Sequence, residues 1–204
     1  MNLNLDDLFA YCNSDDKIGL FCRDICQKII ITPDNKAFKH SHIIFFLEEN
    51  IKRLINSEHI LIDCTYVYPI DYQQTLIIMY YDQLVNKMIP GIFAPINNKL
   101  LKGYNQIFSY IKEYIFGLIN NDLTKIKWIS FTTDFEVGLY TSFKSIFNNI
   151  KNIKHNGCFF HYLKNIRKFL IKHGFTKKEN ESYYKYILSN VYKLPYVNNI
   201  DKNI

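Results

Sequence analysis

The chain has 204 residues, 48% hydrophobic and 22% charged, which is enough for one domain with its own core and too apolar for wholesale disorder. Seven glycines and five prolines exclude collagen-like or Pro-rich architecture, and no apolar run reaches the ~18 residues of a membrane helix. Asp6 and Asp7 stand where a secretory signal carries positive charge, and five cysteines at irregular spacing make no disulfide framework, so a nuclear or cytoplasmic location, not secretion, is expected. The net charge of +6 is uneven. Residues 1–150 carry 14 Lys+Arg against 16 Asp+Glu, a net of −2, and residues 151–204 carry 11 against 3, a net of +8.

In chain order, Leu3–Cys12 and Ile18–Ile31 have spacing compatible with helix or strand, broken by Thr32-Pro33-Asp34-Asn35. Cys12, Cys22 and Cys26 lack a fourth ligand at finger-like spacing and read as free thiols. From Ser41 to Asn56 the apolar residues Ile44, Leu47, Ile51, Leu54 and Ile55 recur at helical intervals. The period then changes. Ile60–Tyr68 is rich in β-branched and aromatic residues and predicts a strand, closed by Pro69. Thr75–Tyr81 predicts a second strand and Met88–Ile96 an irregular third, and short connections make the three an antiparallel meander. Leu100–Ile119 is an amphipathic helix with Leu101, Tyr104, Phe108, Ile111, Ile115 and Leu118 on one face. A strand at Lys127–Thr132, a helix over Phe135–Phe147, a strand at Asn156–Phe160 and a helix over His161–His173 ended by Gly174 follow. A last helix runs from about Glu179 to Tyr192. Three strands, then helix–strand–helix–strand–helix, is the element order of an α/β, ribonuclease H-like fold with a mixed five-stranded sheet. The expected division is a lead-in over 1–42, the core over 43–175 and a basic, Tyr-rich tail over 176–204.

Two acids stand out. Asp63 lies inside an apolar strand, where a carboxylate needs a metal, an arginine or amide donors; alternation puts Leu61, Asp63 and Thr65 on one side and Ile62 and Cys64 on the other. Asp134 sits at a strand–helix junction, where Thr133 can cap the helix and Glu136 can complete a capping box. On the expected fold the strands carrying the two acids are parallel neighbours, and both carboxylates reach one end of the sheet. Such a pair repels unless one acid is protonated or a cation lies between them. Mg²⁺ suits hard oxygen ligands that leave positions for water and phosphate.

The run Asp63-Cys64-Thr65-Tyr66, then Asn98-Lys99 with Tyr104, then Thr133-Asp134-Phe135-Glu136, then Gly157-Cys158-Phe159-Phe160-His161 resembles the MULE (Mutator-like element) transposase domain over residues 43–175. The resemblance implies a DDE-type transposase in which Asp63 and Asp134 are the first two catalytic, metal-binding acids. Mg²⁺ or Mn²⁺ is then the cofactor, and DNA, as transposon ends or non-specific duplex, is the partner. A homo-oligomer is admitted; a membrane and a small-molecule substrate are not expected. Thr65, Glu136, Cys158 and His161 match the family's remaining motif positions. Cys64 stands where the family often has glycine. The helix over His161–His173 has no Asp or Glu, so the third acid of the triad is not found there, and the domain reads as truncated at its C-terminus. A non-enzymatic, domesticated DNA- or protein-binding domain is the alternative.

Cys158 and His161 make half a zinc site by spacing, with no convincing partner in His155 or His173. Packing is expected for Cys158, and a hydrogen bond or phosphate contact for His161. Lys164, Lys168 and Lys172 form an i, i+4 stripe with Arg167 beside it, continued by Lys177 and Lys178 and interleaved farther on with Tyr183, Tyr184 and Tyr186. These cations would contact phosphates and the tyrosines could stack on unpaired bases. A solvated basic face over packed tyrosines has the same pattern.

Overall fold

The computed structural model describes residues 21–31, 37–65, 72–175 and 180–193, with side chains described from residue 40 onward. It divides into two compact units, residues 1–156 and 157–204. The first is an α/β unit built on a mixed sheet. Its strands are β1 (Phe21–Ile31), β2 (Ala37–Phe46), β3 (His59–Thr65), β4 (Gln74–Asp82), β5 (Lys87–Ile96), β6 (Ser130–Thr133) and β7 (Lys154–Gly157), in the spatial order β1-β2-β5-β4-β3-β6-β7. Its α-helices among the described residues are α1 (Glu48–Asn56), α2 (Leu101–Leu118) and α3 (Val137–Ile146).

The expected meander is present: β3 pairs antiparallel with β4, and β4 with β5. The irregularity of β5 is a bulge. Ile78 faces Ile92 and Met79 faces Pro90, so Gly91 is the extra residue. A side chain there would start 3.2 Å from the Tyr80 ring, a tighter approach than ordinary van der Waals contact. β6 pairs parallel with β3, as expected for the strand carrying Asp134.

Three expectations are corrected. The sheet has seven strands, not five, because a β1–β2 hairpin adds to the outer edge of β5. Ser41–Phe46, read as the start of a helix, is the second half of β2; helix begins only at Glu48. The stretch is buried at Ser41, His42, Ile43, Ile44 and Phe46, so it has no polar alternation to betray a strand, and Ile44, Leu47 and Ile51 fit a helical period by chance. The last strand and helix are also shifted: β7 ends at Gly157 and the next helix begins at Phe159, not His161.

One hydrophobic cluster joins the helices to the sheet. Ile60, Ile62, Leu76, Ile78, Ile92 and Ala94 supply the sheet's side of it. Ile51 and Leu54 of α1, Tyr104, Phe108 and Ile111 of α2, and Leu139 and Phe143 of α3 supply the helices' side. Phe143 is its aromatic centre, with ring centroids 4.5 Å from Phe131, 4.7 Å from Phe147 and 5.4 Å from Phe108. The Trp128 indole N–H donates to the Leu54 carbonyl at 2.7 Å, so its one polar atom is satisfied in the core.

The second unit contains α4 (Phe159–Lys172) and α5 (Glu181–Val191). The expected glycine stop is present. Gly174 has φ 77°, its N–H donates to the Ile171 carbonyl, and the Phe175 N–H donates to that of Leu170, which together form a Schellman motif.

Candidate metal centre

The centre is built from the register of β3 and β6. His59 faces Ser130, Ile60 faces Phe131, Leu61 faces Thr132 and Ile62 faces Thr133. One residue further along each chain come Asp63 and Asp134. Facing residues of parallel strands project to the same side of a sheet, so the two carboxylates are neighbours, with an oxygen of each within 4.8 Å. Ile62 and Cys64 belong to the core side, which turns Asp63 to the opposite face, as alternation predicts.

Backbone amides hold both acids. The Cys64 N–H donates to Asp63 Oδ1 at 2.9 Å, and the Glu136 N–H donates to Asp134 Oδ1 at 2.9 Å. The second bond closes a tight turn between β6 and α3. It also replaces the expected capping box. Glu136 is itself the N-cap residue of α3 and makes no side-chain cap, and the Thr133 hydroxyl is engaged with the Asp134 carbonyl and His155 Nε2, at 2.8 Å each. A carboxylate has about four acceptor positions, so an amide bond does not by itself exclude a cation.

Behind the acids, on the core side, lies a buried polar chain. The Tyr104 hydroxyl donates to Glu136 Oε1 at 2.6 Å, accepts from the Gln74 amide, and lies 3.8 Å from Cys64 Sγ. Lys99 Nζ approaches Glu136 Oε2 at 3.4 Å. Burial pushes the Cys64 thiol up to about 12, and the nearby carboxylates of Glu136, Asp134 and Asp63 push the same way, whereas its contact with Tyr104 opposes them. That thiol is a protonated packing group, not a nucleophile. Burial likewise raises the Tyr104 phenol, with Cys64 and Glu136 adding to the effect.

The other sequence-predicted residues fall in several places. Thr65 ends β3 opposite Thr75 and shares the face of Asp63. Cys158 is the N-cap residue of α4 without a side-chain cap, and His161 lies in the first turn of that helix. Lys164, Arg167, Lys168 and Lys172 are exposed along α4. Lys177 and Lys178 lie outside the described residues. The apolar stripe on α2 marks Tyr104 as a core residue, but the role of its hydroxyl and its link to Gln74 are not legible in spacing. The available signal is chemical: a tyrosine buried on a helix needs a partner for its O–H.

The sequence matches no protein-family model and no curated protein.

Proposed function

We propose that the chain is a catalytic-domain piece of a DDE-type DNA transposase of the Mutator-like kind, on a ribonuclease H-like sheet, in which Asp63 and Asp134 hold Mg²⁺ or Mn²⁺. One observation carries the reading: two carboxylates sit side by side where the parallel strands β3 and β6 end, each oriented by a backbone amide. The strand order β5-β4-β3-β6-β7 supports the fold assignment, with β1 and β2 as an addition at the β5 edge. The donor chemistry fits the ion: hard, anionic oxygens, few in number.

Divalent ions at such a site supply an activated water or 3′-hydroxyl and neutralise charge at the phosphorus. The chain's own contribution is placement. The amides of Cys64 and Glu136 fix the carboxylates, Lys99 pairs with Glu136, and the lysines of α4 offer cations for a DNA backbone. Binding of Mn²⁺ and of DNA is the activity to test first.

Calorimetry tests the reading. Mn²⁺ should bind weakly at one site, and Asp63→Asn with Asp134→Asn should abolish the heat of binding; unchanged binding in the double variant sinks it. The second reading, a non-enzymatic DNA-binding domain, is favoured by the same exposed cations on α4. It predicts salt-sensitive DNA binding that is indifferent to Mn²⁺ and to both substitutions.

A further inference from the structure

We infer that Tyr104 is the positioning residue of the carboxylate pair, its single hydroxyl setting the distance between Asp63 and Asp134. This rests on the reading of the pair as a metal centre, but the geometry beneath it is independent of any ion.

Each acid is held by the N–H of a residue that follows it, Cys64 for Asp63 and Glu136 for Asp134. Those same two residues converge on one atom. Tyr104 Oη donates to Glu136 Oε1 at 2.6 Å and stands 3.8 Å from Cys64 Sγ. The path from one carboxylate to the other thus runs through a backbone amide, a side chain, the phenol oxygen, a second side chain and a second amide. β3 and the β6–α3 turn are joined at this point by a group from a third element, α2.

The hydroxyl is itself fixed. Tyr104 is fully buried, packed in the core beneath the sheet. Its oxygen also accepts from the Gln74 amide of β4, and Gln74 is 1% exposed. Among the described residues Gln74 Oε1 has no hydrogen-bond partner, so a buried acceptor is left unsatisfied while the amide N–H serves the tyrosine. A core that tolerates this is arranged around the Tyr104–Glu136 bond. Gly103 fits the same account. A side chain there would begin 2.7 Å from the His40 ring, so glycine lets the first turn of α2 sit close enough to β2 for Tyr104 to reach the acid end of the sheet.

Tyr104→Phe keeps the ring and removes only the hydroxyl. Hydrogen exchange read amide by amide, with Mn²⁺ titration of the same samples, tests the inference. The Glu136 amide should exchange about tenfold faster in the variant, because the Glu136 side chain is no longer anchored and the turn that holds its N–H on Asp134 opens more readily, while the Ile62 and Ile78 amides keep their protection. Mn²⁺ affinity should fall by a similar factor. Glu136→Gln, which still accepts from Tyr104, should keep the slow exchange. An unchanged Glu136 amide in Tyr104→Phe overturns the inference, and so does uniform acceleration at Ile62, Ile78 and Glu136, which makes the hydroxyl a general core contact. If the wild-type chain binds no Mn²⁺ and the Glu136 amide still accelerates selectively, the positioning role stands and the metal reading fails.

Discussion

The two units solve the burial problem differently. In the first, the sheet and three helices enclose a continuous cluster in which Ile44, Ile51, Ile62, Leu76, Phe108 and Phe143 are 1% exposed or less. In the second, Leu170 is the fully buried hydrophobic residue among the described ones, whereas Phe160, Phe169, Ile171, Tyr183 and Tyr186 are each more than half exposed. A residue's role therefore depends on its unit. In the first, most apolar side chains are structural, and the exceptional residues are the polar ones in the strands. In the second, exposed aromatics and cations make up much of the surface, and Lys164 lies 6.0 Å from the Phe160 ring centroid.

The sharpest way to break this contrast is Phe143→Ala. It removes the centre of the aromatic cluster and should cost about 3–5 kcal/mol in denaturant unfolding; a loss near 1 kcal/mol would mean the cluster is looser than its geometry. Trp128→Phe keeps an aromatic ring but removes the indole bond to the Leu54 carbonyl, which still accepts from the Ser57 N–H at 3.3 Å, for an expected loss of about 1 kcal/mol by the same measurement. Replacing Lys164, Lys168 and Lys172 by Ala should change stability by less than about 0.5 kcal/mol, yet reduce the salt slope of DNA binding by about 1 per lysine. An unchanged salt slope would leave α4 as a merely solvated face.

The smallest effect concerns His155, whose pKa is held below its ordinary value of 6.5, first by burial and then by Lys144. A depressed histidine binds its proton less readily folded than unfolded. Its contribution is intact above 6.5 and is lost as pH falls below that value toward the folded pKa. The wild type should therefore lose stability on acidification through this window, and His155→Gln should flatten that part of a pH-stability curve.

How much was legible follows from which signals are local. The three-strand meander, α2 and the strand–helix junction at Asp134 come from period, β-branched composition and breakers, and the structure contains them. Asp63 was found because a carboxylate in Ile60-Leu61-Ile62-Asp63 has no local reason to be there. The β1–β2 hairpin was not readable, because a buried strand lacks alternation and Ser41–Phe46 runs straight toward a true helix at Glu48. The capping box failed for a different reason: Thr133 and Glu136 have the right spacing, but His155 and Tyr104, distant in sequence, take their side chains. Tertiary partners decided between two locally reasonable arrangements.

The parallel register that unites the acids also fixes when they can meet. β3, β4 and β5 are neighbours in sequence and can zip together through short turns. The contact between His59 and Ser130, at the start of the β3–β6 pairing, spans 71 residues. Loop closure of that length lowers chain entropy before any contact repays it, so this pairing is expected among the late steps of assembly. On that order the two carboxylates come side by side only once β3 and β6 have paired, and no earlier state of the chain holds them together.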